Sequence, residues 1–260
     1  MKQRLARHVD GPPGAPALVL LHAIATHSGL WLPQLGPWSA RWRVVRIDLP
    51  GHGASAPPAG VSTLADYAAQ VRDVLDELEI ERAAFVGLSL GGMVAQAFAL
   101  AFPRRVTALV LAHTSARTDA AVRELWERRL AQFEQFGLVA QVASTLERWF
   151  TRAFAAASPS TLEWIAGQIR ATAPEGYAVA IRAIQGLDHL DRLGEIAVPT
   201  LVLAGEADSA VPPAAASTLA ASIPGAQLAV LPDAAHLGNV QQPVAFAEAV
   251  ASFLAATSGE

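Results

Sequence analysis

Ala83-Ala84-Phe85-Val86-Gly87-Leu88-Ser89-Leu90-Gly91-Gly92 continues through Met93 to Pro103 without a charged residue, bounded by Arg82 and Arg104. A stretch of that length and polarity is long enough to cross a bilayer. Gly87, Ser89, Gly91 and Gly92 interrupt its centre, however, and Gln96 follows. The better reading is a buried strand, a sharp turn and a buried helix. A serine in the middle of such a turn holds its hydroxyl above the edge of a sheet. Glycines are needed around it because neighbouring side chains would clash in so tight a turn. The helix that follows offers unsatisfied N–H groups and a partial positive charge at its start. A dinucleotide-binding loop would need glycine where Ser89 stands, and a P-loop would need a lysine after the glycines. Gly-x-Ser-x-Gly alone marks only a glycine-rich turn; the strand–turn–helix setting makes Ser89 a candidate nucleophile.

Outward from this unit, short apolar runs recur at Leu18–Leu21, Val44–Ile47, Val106–Leu111, Thr200–Leu203 and Gln227–Leu231. Their length and Val/Leu content suit strands buried on both faces of a parallel sheet. Helical patterns alternate with them. Leu64, Tyr67, Val71, Val74, Leu75 and Leu78 make one helix face, with Ser62 and Thr63 as candidate N-caps. Pro243 opens a final helix reaching about Ala255. Strands alternating with helices predict an α/β fold with a mostly parallel sheet flanked by helices. Between Asp119 and Asp191 the alternation stops. Leu138, Val142, Leu146, Trp149 and Phe150 form a helical apolar face there, with breaks at Pro159 and Pro174. The expected organisation is a core of residues 1–118 and 192–260 carrying a helical cap of residues 119–191.

Composition narrows the function. The 260 residues are 52% hydrophobic and 16% charged, which excludes a disordered chain. Lysine and arginine number 19 against 23 acids, a formal charge of −4, so no basic footprint for nucleic acid is present. With no cysteine, disulfides, thiolate nucleophiles and thiolate metal sites are excluded. Lys2, Arg4 and Arg7 precede the apolar Ala17–Leu21, but the turn-forming Asp10-Gly11-Pro12-Pro13-Gly14 breaks any signal-peptide pattern. The expectation is a cytoplasmic protein that acts on small molecules, without nucleic-acid or membrane partners. The oligomeric state is not written in these features.

A serine hydroxyl needs a base. In this architecture the chain order is serine, then acid, then histidine. His236 lies in a loop between the last strand and last helix, at the edge where α/β sheets bind ligands. His113, at a strand end, and His189, near the end of the insertion, read as structural. Asp208 follows the Thr200–Leu203 strand and is the candidate acid that orients the imidazole. Glu206 is a nearby alternative; Asp188 and Asp191 belong to the insertion. An oxyanion would need two N–H donors, for which the Ile24 and Leu90 amides are the candidates. His22 reads as a residue that shapes the loop.

These motifs resemble the α/β-hydrolase superfamily along nearly the whole chain. Asp48-Leu49-Pro50-Gly51-His52-Gly53-Ala54-Ser55 resembles its Gly-His-Gly loop. Within the superfamily the sequence is most similar to 3-oxoadipate enol-lactonases, through the Ser89 elbow and Ala234–Pro243. Arg148-Trp149-Phe150-Thr151 and Thr172-Ala173-Pro174-Glu175-Gly176-Tyr177 resemble cap segments of that group. His22-Ala23 replaces the usual His-Gly, a departure those enzymes share, and Arg152 stands where proline is expected. Gln3 to His8 leaves little room for the family's first strand, so whether the sheet keeps that edge strand stays open. The resemblance implies an α/β-hydrolase fold, a triad of Ser89, Asp208 and His236, and opening of a lactone ester through an acyl-enzyme, with no cofactor and no metal. The implied substrate carries a carboxylate, so a cation should line the pocket; Arg117, Arg148 and Arg152 are candidates. Trp126, Trp149 and Trp164 read first as cap packing, with Trp149 kept among the substrate-binding candidates. Two other functions share these motifs: a general carboxylesterase or cofactor-free perhydrolase, and a non-catalytic or slowly hydrolysing ligand-binding protein.

Overall fold

Strands form where the apolar runs lie. In a computed structural model describing residues 4–57 and 63–258, they are β1 (Arg7–Asp10), β2 (Ala17–Leu21), β3 (Arg43–Ile47), β4 (Ala83–Leu88), β5 (Val106–Ala112), β6 (Thr200–Gly205) and β7 (Gln227–Leu231). They make one sheet in the order β1-β3-β2-β4-β5-β6-β7, parallel except for antiparallel β1. The helices are α1 (Leu32–Ser39), α2 (Leu64–Glu77), α3 (Leu90–Ala101), α4 (Ala120–Phe136), α5 (Val142–Trp149), α6 (Arg152–Ala157), α7 (Pro159–Ala171), α8 (Pro174–Gln185), α9 (Pro213–Ser222), α10 (Gly238–Gln241) and α11 (Pro243–Ser258). The expected α/β fold with a mostly parallel sheet is what the chain adopts. None of the helices among the described residues is long and apolar enough to cross a membrane. The uncharged Ala83–Pro103 stretch is β4, a turn and α3.

Strands β2, β4, β5 and β6 are buried along nearly their whole length, as continuous apolar runs in a helix-covered parallel sheet should be. β7 departs from that reading. It is the outer strand, with a neighbour on one side only, and Leu228 and Val230 remain 43% and 49% exposed. The edge strand is present: β1 starts at Arg7, inside Gln3–His8, and runs on to Asp10; Gln3 lies outside the described residues. Ion pairs hold it: Arg46 of β3 reaches Asp10 at 2.9 Å, and Arg7 reaches Glu77 of α2 at 2.8 Å.

α2 begins at a capping box, with Asp66 N–H donating to Thr63 Oγ1 and Thr63 N–H donating to the Asp66 carboxylate. Ser62, the other candidate cap, lies outside the described residues. α11 starts at Pro243 and buries Phe246 against Trp31 and Trp38. α4 to α8 all fall between β5 and β6, the stretch that lacks strand patterning. Their one β feature among the described residues is an isolated bridge between Arg117 and Asp188.

The strand order places β2 between β3 and β4. Successive connections therefore leave β2 in opposite directions, and the crevice at such a switch point is where α/β sheets bind ligands. Leu21 and Gly87 are register partners. The loop after β2, which holds Ile24, thus starts beside the turn after β4, which holds Ser89.

Candidate active site

Ser89 sits between β4 and α3 at φ 54 and ψ −115, a left-handed backbone that a non-glycine residue adopts only under constraint. Its N–H donates to Ala112 O, and its own carbonyl accepts from Met93 N–H and Thr114 Oγ1. The glycines make this geometry possible. A Cβ on Gly91 would strike the Leu21 carbonyl, one on Gly87 the Gly91 carbonyl, and one on Gly92 the Thr114 side chain. Ala25, His113 and Asp233 also have positive φ, so backbone strain gathers in the loops at the carboxyl ends of β2, β4, β5 and β7.

Those loops bring Ser89, His236 and Asp208 together. Ser89 Oγ lies 3.0 Å from His236 Nε2, and His236 Nδ1 lies 2.9 Å from Asp208 Oδ2 and 3.2 Å from Oδ1. A carboxylate only accepts, so Nδ1 carries the imidazole proton and Nε2 is left to accept from the serine. Asp208 Oδ1 also accepts the N–H groups of Ala210 and Val211, each at 2.9 Å. Burial alone would raise the pKa of Asp208. The facing His236 and the hydrogen bonds from both His113 and His236 outweigh that and hold it below the usual carboxylate range. Glu206 turns away and accepts from Asp233 N–H.

Ile24 and Leu90 have amide N–H groups with no protein acceptor among the described residues. The Ile24 loop is shaped by His22, whose Nε2 accepts from Leu49 N–H at 2.8 Å and whose Nδ1–H donates to Ala23 O at 2.7 Å. Burial, then the neighbouring His52, push the His22 pKa down to about 3, so it is a neutral structural pivot. Asp48 ties the adjoining loop together, accepting from Ser28 N–H and Ala54 N–H. His189 is remote from this cluster and faces Gln96.

A cavity of about 360 Å³ opens from Ser89 and His236 toward α4, α5, α7 and α8. Its walls are mostly apolar, including Ile24, Met93, Leu138, Ile169, Ile184 and Val211. Trp149 forms part of the roof, its ring 6.2 Å from that of His236. The roof is fastened to the histidine loop: Leu237 N–H donates to Trp149 O, and Gln241 Nε2 donates to Thr151 Oγ1. At the other end, Ala173 N–H donates to Gly51 O, and a Cβ on Gly176 would collide with Gly51. The two cap segments noted for their resemblance are therefore the places where the helices meet the core.

The nominated arginines fare differently. Arg117 lines the cavity, but its guanidinium is occupied by Asp188 at 2.6 Å and Asp191 at 2.9 Å. Arg148 lines it with no acidic partner among the described residues. Arg152 is exposed at the start of α6 and does not line the cavity, which corrects its nomination. The residue that sequence reasoning missed is Arg129. It is 7% exposed, lines the cavity, and donates to Thr145 Oγ1 at 2.9 Å and weakly to Tyr177 Oη at 3.4 Å. Its Nε has no partner, and no carboxylate pairs with it among the described residues. Its signal was in the sequence: Arg129 falls on the apolar stripe Val122, Trp126, Leu130 and Phe133 of α4, where a charge is out of place.

Comparison with known proteins shows the family of the fold. A family model described as alpha/beta hydrolase fold matches residues 16–243. The chain is 34% identical to 3-oxoadipate enol-lactonase 2 of Acinetobacter baylyi, over 92% of this chain and 89% of that one. The crystal structure of the enol-lactonase from Burkholderia xenovorans LB400 superposes with a TM-score of 0.93 at 35% identity, covering 96% of both chains. A thermophilic esterase from Thermogutta terrifontis gives 0.90 at 30% identity, covering 97% of this chain and 93% of that one.

Proposed function

Because this chain belongs to the α/β-hydrolase family, we propose that it is a serine hydrolase with the triad Ser89, Asp208 and His236, and that it opens the lactone ester of 3-oxoadipate enol-lactone. The observation that carries the substrate class is Arg129, a buried cation in the cavity wall without a protein counter-ion among the described residues. Its guanidinium meets hydroxyl oxygens and the Trp126 ring, 5.6 Å away, but no negative charge, and burying a charge without a counter-charge is unfavourable. A substrate carboxylate would supply the missing partner, and a guanidinium receives one through two parallel hydrogen bonds. The similarity to two proteins named as enol-lactonases supports the same choice.

In this reading His236 Nε2 takes the hydroxyl proton as Ser89 Oγ attacks the lactone carbonyl. Asp208 holds the imidazole and stabilises the imidazolium that forms. The tetrahedral oxyanion is received by the Ile24 and Leu90 amides, each such donor contributing about 3 kcal/mol. Collapse breaks the ring C–O bond and expels an enolate, which is protonated to the ketone. Water, activated by the same histidine, then attacks the acyl-serine ester and releases the dicarboxylate. The helices α4 to α8 act as the cap, supplying Arg129 and Trp149 and roofing the cavity over the ester.

The test is kcat/KM for the enol-lactone beside a neutral aryl acetate, with Ser89→Ala as control. The lactone should be preferred by orders of magnitude, and the variant should lose both activities. A second reading, a carboxylesterase for neutral esters, rests on the largely apolar cavity walls. Turnover of the acetate without the lactone would establish it and overturn the lactonase assignment.

A further inference from the structure

Asp208 holds two imidazoles, of which the proposed reaction uses one. His113 follows directly on β5, fully buried, with its Nδ1 3.1 Å from Asp208 Oδ2, the same oxygen that receives His236 Nδ1 at 2.9 Å. The two rings stand nearly perpendicular, 6.0 Å apart at 79°. Because the carboxylate only accepts, both Nδ1 atoms carry protons toward it. His113 is held in place by more than this contact. Its N–H donates to Leu203 O, its φ is +50, and its Nε2 abuts Gly238, where any Cβ would collide with it. A non-glycine residue at positive φ and a buried ring nitrogen without a protein partner both oppose stability. An apolar side chain filling the same space would avoid the second of these.

We propose that His113 is a positioning residue of the triad: its Nδ1–H fixes the Asp208 carboxylate in the orientation that meets His236 and takes a share of the charge on Oδ2. With Ala210 N–H and Val211 N–H on Oδ1, His113 completes a set of three donors that immobilise the carboxylate from both sides, leaving it no rotamer that abandons His236. Of the titratable groups near His236, Asp208 and His113 are clustered with it, and Arg117, Arg129 and Arg148 line the cavity it faces.

The inference rests on Ser89 being activated by His236, so the test reads that step without a natural substrate. The second-order rate of Ser89 labelling by phenylmethanesulfonyl fluoride is followed from pH 5 to 9 in the full chain and three variants. His113→Gly keeps the left-handed backbone and removes the donor. His113→Leu removes the donor and retains bulk. His113→Asn restores an N–H at the Nδ1 position on a residue that tolerates positive φ. Gly and Leu variants should label roughly tenfold or more slowly. The Asn variant should recover the rate. Rates are taken per folded molecule, measured by near-ultraviolet circular dichroism. A wild-type rate in the Gly variant overturns the proposal, as does an Asn variant as slow as the Gly one. Absence of labelling in the wild type would overturn the serine-hydrolase reading instead.

Discussion

Arg129 and Arg152 look alike in the sequence, both in the helical stretch between β5 and β6, yet one is buried against the cavity and the other is in solvent. If Arg129 receives the substrate carboxylate, Arg129→Met should reduce the preference for the enol-lactone over a neutral aryl acetate by about 10- to 100-fold. That corresponds to the 1.5–3 kcal/mol of a charge-assisted hydrogen bond, and the loss should reside in KM for the lactone. Arg152→Met should leave that preference unchanged. An Arg129→Met enzyme with full lactone preference would move the anion site to Arg148, the other cavity arginine with no acidic partner. The hydrogen-bonded Ser89, His236 and Asp208 were legible at this scale because each lies just after a strand, in a loop whose local composition marks it. Arg129 was marked only as a charge on the apolar stripe of α4; its role stayed hidden because its partners, Thr145 on α5 and Tyr177 on α8, are brought near only by tertiary packing.

Elements carry a different kind of constraint, and glycines expose it. A Cβ on Gly91 would meet the carbonyls of Leu21 and His22, so Gly91→Ala must push α3 away from β2. We expect it to destabilise the fold by about 1–3 kcal/mol through overpacking. It should also abolish ester turnover, since the same movement separates Ser89 from the Ile24 loop. Gly167, inside α7, has open space around its Cβ position. Gly167→Ala should therefore raise stability by about 0.5–1 kcal/mol, as alanine replaces glycine in a helix, and raise Tm by a few degrees in thermal unfolding. A stable, active Gly91→Ala protein would show that the turn is looser than its contacts indicate. The strands β2 to β6 were legible as short runs rich in Val and Leu. α1 was not, because Pro33, Gly36 and Pro37 mask its pattern, and its stability comes from burying Trp38 against α11. β7 was found but misjudged in burial, since an apolar run does not tell an outer strand from a central one.

The whole molecule stores neutral histidine in its interior, and this sets its response to acid. Burial lowers the pKa of His22 to about 3 and those of His52 and His189 to about 4. Unfolded histidine titrates near 6.5. As pH falls below that value the unfolded chain binds protons that the folded chain refuses. The stability these groups contribute is thus complete above about pH 6.5 and is lost progressively toward pH 4 and below. Each adds a slope of about 1.4 kcal/mol per pH unit. His113, also lowered by burial, acts in the same direction. Asp208, held below the usual carboxylate range, extends the loss only beneath the ordinary aspartate pKa. The unfolding free energy from urea titrations should therefore fall between pH 6 and 4.5 with an uptake of about three to four protons. His189→Gln, remote from the triad, should remove about one of them. A flat stability profile over that interval would mean that these histidines are protonated in the folded state. The hydrogen bond from Leu49 N–H to His22 Nε2, and with it the loop that presents the Ile24 amide, could not then persist in acid.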